Sequence, residues 1–227
     1  MTNYFDENIM TVDRLLDTSH TVAARLFEEC VFPWQVLPQI GAFIIEMGPT
    51  LDRAVFDEVS HGVWIAKSAS VAPTACINGP CIIDEGAEIR HGAYIRGNAI
   101  IGKGAVVGNS TEVKNAVLFD KAQAPHYNYV GDSVYGYRAH TGAGAVTSNL
   151  KSDKSPVTVI CGDRRVPTEL KKFGAILGDN VEVGCNSVLC PGTVIGRETT
   201  IYPLSRVRGF VPEHHIFKAP DDIVEKR

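Results

Sequence analysis

Arg96 and Lys114 stand 18 residues apart in a stretch otherwise dominated by small and aliphatic side chains. Two cations held close together favour an anion between them, and a phosphate is the obvious candidate. The plain alternative is that both side chains project into water. His126 lies in the segment APHYNYVGD. Its ordinary pKa of about 6.5 suits a histidine to exchange a proton at neutral pH, although a lone loop histidine is more often a surface residue. Asn149 follows the Gly-rich turn TGAGAV. Gly-x-Gly alone is a weak signal, because glycine commonly just serves a corner.

What would position these residues is a period of six. Every sixth residue from Ile65 is large and apolar: Ile65, Val71, Ile77, Ile83, Ile89, Ile95, Ile101, Val107, Val113 and Phe119. A second series runs Leu177, Val183, Leu189, Ile195, Ile201 and Val207. The fifth position of each hexad is small or short, as at Ala69, Ala75, Cys81, Ala87, Ala93, Ala99, Ala105 and Thr111. Hydrophobic residues make up 44% of the chain, so ten consecutive hits are not a chance run. A helix repeats near 3.6 and a hairpin near 2, and neither gives six. The reading is a parallel β-helix of hexapeptide repeats: three hexads form a triangular coil, the large aliphatic points inward, and successive coils hydrogen-bond in parallel. The hexads predict about five complete coils and an irregular one near 125–150. Arg96 and Lys114 both occupy position two of a hexad, one full coil apart, so they should stack on one edge.

The register breaks twice. Near 120–128 a few residues should bulge out, after which a shifted frame resumes at Tyr129, Tyr135 and Thr141. The polar stretch 151–176 reads as an excursion, a hairpin or arm, with turn signals around the strand-like run from Val157 to Cys161. Before residue 60 the pattern is helical. Val12, Leu15, Leu16, Val22, Ala23, Leu26, Phe27 and Cys30 follow helical spacing up to Pro33, and a second short helix covers Pro38 to Met47. These helices are expected to cap the open end of the stack. The domain reading is therefore a helical cap at 1–60, a β-helix at 61–212 and a tail at 213–227.

Composition narrows the function. Lys+Arg is 22 and Asp+Glu is 26, a balance that argues against a nucleic-acid-coating protein. No apolar run approaches the ~20 residues of a membrane span, and the N-terminus lacks signal-peptide character, so a cytoplasmic location is expected, with neither nucleic acid nor membrane as partner. Six cysteines show no Cys-x-x-Cys and no zinc-finger spacing. No metal is expected for the chemistry.

The segment from about 90 to 210 resembles the C-terminal acetyltransferase domain of the bifunctional N-acetylglucosamine-1-phosphate uridyltransferase family. It resembles more closely the corresponding domain of archaeal sugar-1-phosphate nucleotidyltransferase/amino-sugar-1-phosphate acetyltransferases. The stretches that carry the resemblance are YIRGNAIIGKGAVVGNSTEVKNA, KAQAPHYNYVGD, TGAGAVTSNLKSDK and KKFGAILGDNVEVGCNSVLCPGTVIG. It implies a left-handed coil, against the usual crossover hand, a homotrimer with sites between neighbouring subunits, and acetyl-CoA as co-substrate. It places the catalytic histidine at His126, the phosphate-holding cations at Arg96 and Lys114, and the substrate-contacting tyrosine at Tyr129. It puts the acetyl-positioning asparagine at Asn149 and a thioester-facing backbone amide near Ala143. Glu112 matches a glutamate of the same site.

Two positions depart from the family. A sugar-contacting asparagine falls on His140, and a lysine after the asparagine loop falls on Ser155, where Lys154 is one residue away. The Gly-rich, Arg-containing motif of the nucleotidyltransferase half is absent from the sequence. The implied function is acetyl transfer to an amino-sugar 1-phosphate such as glucosamine 1-phosphate or galactosamine 1-phosphate. The alternatives are a non-catalytic trimeric sugar-phosphate-binding or scaffold protein, and a hexapeptide acyltransferase with another acceptor. A γ-type carbonic anhydrase on the same fold needs three converging histidines, and its His-x-x-x-x-His pair is missing.

Overall fold

A computed structural model describes residues 7–226. The hexads form a parallel β-helix with three faces. Inward residues stack rung on rung. On the first face Ile65, Ile83, Ile101, Leu118, Tyr135, Leu177, Ile195 and Val211 are successive ladder partners. The second face carries Val71, Ile89, Val107 and Ala124, then Thr141, Val183, Ile201 and Phe217. The third carries Ile77, Ile95, Val113 and Val130, then Thr147, Leu189 and Val207. Nearly all of these residues are buried in one core, so each coil hides its interior only through its neighbours.

The expected bulge near 120–128 is not there. The coil instead shortens by one residue per turn: Ile101 stacks on Leu118, Val107 on Ala124 and Val113 on Val130. A one-residue slip reverses which side chains point inward. Leu118 therefore fills the core, while Phe119 faces out and joins a second apolar cluster. Likewise Val130, not Tyr129, points inward. The irregular coil at 125–150 is a regular one, and the stack holds more coils than the hexads alone predict.

The second cluster corrects the expected end cap. The first face is apolar on its outer side as well, through Trp64, Ile82, Ile100, Val117, Val134, Ile176 and Val194. The N-terminal segment lies along that side as a strap running opposite to the coil axis. Arg14 pairs with Glu213, Asp17 N–H donates to Asp179, and Asp120 N–H donates to the His20 carbonyl. Further along, Asn115 donates to the Leu37 carbonyl. Gly48 lies so close under Trp64 that a Cβ there would come within 2.1 Å of the indole nitrogen. The stretch from Val12 to Cys30 is not one helix. It breaks into four-residue turns, Val12–Leu15 and Ala24–Phe27, with Thr18–His20 between them. Asp17 and Thr21 bond their own downstream amides and so compete with the helix. Pro33 opens a short 3-10 turn, Pro33–Val36, and the longest helix is Ile40–Met47.

The excursion contains the antiparallel hairpin Thr158–Cys161 with Arg164–Pro167, turning at Gly162. It folds back on its own coils: Val157, Val159 and Val166 join the outer cluster. Ala175–Leu177 already belongs to the coil. The last rung, His215–Ala219, extends the stack past residue 212 and closes with a hairpin to Asp222–Glu225.

Candidate active site

Arg96 and Lys114 each follow an inward residue of the third face, and Ile95 pairs with Val113, so the two cations sit on neighbouring rungs of one edge. Neither is left facing only the other. Arg96 Nη1 donates to Glu112 Oε1 at 2.8 Å. Glu112 stands between Tyr94 and Tyr129 in the ladder, and its hydrogen bond holds the Arg96 guanidinium above its ordinary pKa. Lys114 Nζ donates to Asp132 Oδ2 at 3.1 Å.

Asp132 is the hub of this edge. It is only 4% exposed. Its oxygens accept from Lys114, from Asn115 Nδ2 at 3.0 Å, and from Asn149 Nδ2. The Asn149 amide also donates to the Tyr129 hydroxyl at 3.1 Å. Burial pushes the Tyr129 phenol up, with the Asn149 bond opposing, so it stays protonated at neutral pH. The structure thus joins Arg96, Glu112, Lys114, Tyr129 and Asn149 on one face and adds Asp132 to them. Sequence reasoning passed over Asp132, which stands two residues past the inward Val130, with Gly131 between them. The backbone of Asn149 is fixed from behind: its carbonyl accepts Phe173 N–H at 2.9 Å, and Phe173 packs on Trp34 of the strap, ring centroids 5.7 Å apart.

His126 occupies the opposite edge of the same face, at the corner between the second and third faces. It is exposed, and its ring makes no hydrogen bond to another described residue. It is the ladder partner of Asn109. On the next coil the corresponding position is Ala143, and Gly144 N–H donates to the His126 carbonyl at 3.0 Å. The predicted base and the predicted oxyanion amide are therefore rung neighbours. Asn128, which sequence reasoning passed over, is 3% exposed and hydrogen-bonded to both corners. It sits at a position where other coils carry Ala, Ser or Thr.

His140 is not brought to either group. It lies on the outer side of the second face, opposite Gln123 and Glu182, and its Nδ1 is 2.7 Å from Glu182 Oε2. It borders a cleft of about 420 Å³ with Lys121 and Arg138. Lys154 is exposed, in the turn leading to the hairpin. The chain leaves the coil at Leu150 and returns at Lys172, and these two residues form an antiparallel bridge. The lysine that the fold returns beside the asparagine loop is thus Lys172. Between the hairpin and the third face lies a second cleft, of about 470 Å³, lined by Lys151, Arg165, Arg206 and Arg208 with Asp153. Four cations against one carboxylate make it a place for an anionic group. Among the described residues no group of three or more His, Cys, Asp or Glu side chains is placed to hold a metal ion.

Comparison with known proteins agrees with the sequence resemblance. The chain is 33% identical over 117 residues to "Bifunctional protein GlmU" of Methanococcus vannielii, covering 51% of this chain and 28% of that protein. It is 36% identical over 107 residues to the "Bifunctional sugar-1-phosphate nucleotidylyltransferase/acetyltransferase" of Sulfurisphaera tokodaii, covering 47% of this chain and 27% of that protein. The Escherichia coli protein named "Putative uncharacterized acetyltransferase YaiX" is 32% identical over 152 residues, with 67% of this chain and 66% of that protein covered. The chain spans little more than a quarter of the length of the two archaeal relatives. With residues 77–195 matched, over half of its length, the chain belongs to the family described as the GMPPB C-terminal domain.

Proposed function

We propose that this protein transfers the acetyl group of acetyl-CoA to the amine of an amino-sugar 1-phosphate. The observation that carries the proposal is the third face. Along one edge Arg96 is paired with Glu112, and beside that pair a hydrogen-bonded set through Asp132 links Lys114, Asn149 and Tyr129, while the His126 ring, hydrogen-bonded to no described residue, stands on the other edge.

Arg96 and Lys114 bind the phosphate and Tyr129 contacts the sugar. Glu112 and Asp132 add negative charge beside those cations, which suits an acceptor that is itself a zwitterion of ammonium and phosphate. His126 takes a proton from the ammonium. The freed amine attacks the thioester carbonyl directly, the carbon–nitrogen bond forms, the carbon–sulfur bond breaks, and the second proton lost by the nitrogen neutralises the departing thiolate, so that CoA leaves as the thiol. The amide near Ala143 stabilises the oxyanion of the tetrahedral stage, and Asn149 orients the acetyl group. Holding two substrates in one orientation supplies much of the rate. The basic cleft at Arg165, Arg206 and Arg208 suits the phosphates of acetyl-CoA. We place the working enzyme in the cytoplasm as a homotrimer, with the uncovered second and third faces meeting between subunits. In that assembly His140 of one subunit can approach the third face of the next. The names of the archaeal relatives support the substrate class.

A second reading, a sugar-phosphate-binding module without catalysis, is favoured by the pairing of both cations with carboxylates of the same chain. The two readings part in a free-CoA release assay with acetyl-CoA and a panel of amino-sugar 1-phosphates. Turnover that His126→Ala abolishes, in a protein of unchanged size and melting temperature, establishes the enzyme. Absence of turnover with every acceptor, from a well-folded wild type, leaves the binding module.

A further inference from the structure

The geometry points to Asn128 as a positioning residue that sets the separation between His126 and the Ala143 amide. The inference rests on the functional reading above and goes beyond it, because Asn128 touches neither substrate nor reacting atom.

Asn128 occupies the inward corner position that in other coils holds Ala93, Thr111, Ala145, Ser187 or Ser205, all short side chains. A carboxamide buried there without partners would be costly, and this one has them all. Its Oδ1 accepts the His126 backbone N–H at 3.0 Å. Its Nδ2 donates to the Gly142 carbonyl at 2.8 Å and to the Ala145 carbonyl at 3.1 Å. Its own N–H donates to Thr111 Oγ1 at 3.2 Å. One planar group thus grips the turn that presents His126 and both ends of the turn that presents Ala143, on the next coil.

Other coils show what the fold itself requires at this position. Ser187 makes the equivalent link to the next coil with a single hydroxyl, donating to the Tyr202 carbonyl at 3.1 Å. Ala145 makes no side-chain link at all. Stacking therefore does not need an asparagine. What the asparagine adds, besides a second bond to the same turn at the Ala145 carbonyl, is the bond back to His126. The Tyr127 backbone next to it is held at φ 51°, a left-handed conformation that a loosened corner of L residues would tend to leave. The remaining tie between the two corners is the backbone bond from Gly144 N–H to the His126 carbonyl.

The test uses the full chain, with Asn128→Ser and Asn128→Ala compared with Ser187→Ala as the control in the same column. Amide hydrogen exchange at His126 and at residues 143–145 is measured beside steady-state kinetics. The serine keeps a hydroxyl for the Gly142 carbonyl and loses the acceptor for His126, so it folds even where the alanine is too unstable to assay. Expected are faster exchange at His126 and a fall in kcat of about 10- to 100-fold with little change in KM, as a misplacement of about 1 Å produces. The control loses neither. Unchanged exchange, or raised exchange with unchanged kcat, overturns the positioning role while wild-type turnover keeps the functional reading alive. A wild type that turns over no acceptor overturns the functional reading itself and removes the base that Asn128 would position.

Discussion

The carboxylate of Asp132, buried at the corner of one coil, accepts the ammonium of Lys114 from the preceding coil at 3.1 Å. Lys114 is itself only 22% exposed on its side chain, so each charge depends on the other. Asp132→Ala should cost about 3 kcal/mol, as removal of one partner from a buried pair does. The double variant with Lys114→Met should cost less than the sum of the two singles. Urea unfolding of the four proteins measures this. Strictly additive losses would show that the pair is not coupled.

His126 contributes little to the fold, because its ring is exposed and hydrogen-bonded to no described residue. His126→Ala should lower the acetylation rate about 10²- to 10⁴-fold while leaving the thermal midpoint in place. A fall in rate that simply tracks a fall in midpoint would mark the residue as structural.

Asp84 is 1% exposed. One oxygen accepts the Glu85 N–H at 2.7 Å and the other has no partner among the described residues. Burial raises its pKa above the ordinary 3.8, so the folded state binds the proton more tightly than the unfolded chain. Its stabilising contribution is therefore present in acid and lost as pH rises through the folded-state value. Asp84→Asn should raise the urea midpoint at pH 7, and the gain should shrink toward pH 4. A gain that grows in acid would contradict the assignment.

Trp34 stacks on Phe32 at 4.6 Å and packs on Phe173, the residue that holds the Asn149 carbonyl. Trp34→Ala should cost about 3–5 kcal/mol and should also weaken turnover assayed well below the melting temperature. Calorimetry and kinetics on one preparation separate the two effects. Loss of stability with full activity would show that the strap does not support the site.

The period of six made the β-helix legible because each inward position must be large and apolar, whatever else the coil does. It failed where the coil shortened by one residue. Leu118 and Phe119 are both apolar, so hydropathy could not say which one faced the core. The strap was misplaced for a related reason. Trp64, Ile82 and Ile100 precede inward residues, and the six-residue period gives them no place of their own, yet they are a second apolar surface that the helices must cover. At the site, Arg96 and Lys114 could be paired from their spacing alone, since one coil separates them. Their carboxylate partners could not. Asp132 reaches Lys114 across a corner, and no hexad position predicts that. Asn128 was invisible because a polar residue at a small inward position looks like a lapse in the repeat until its four bonds are seen.

The strap has a consequence for how the molecule comes apart. A stack in which each coil touches only its neighbours is free to fray from either end, one repeat at a time. Here Arg14 is tied to Glu213 near the last coil, and Gly48 is seated under Trp64 at the first. Residues between them bind coils at Asp179, Asp120 and Asn115. Loosening any one rung strips the strap from the others, so the array is converted from a row of semi-independent units into a single cooperative body that melts in one step.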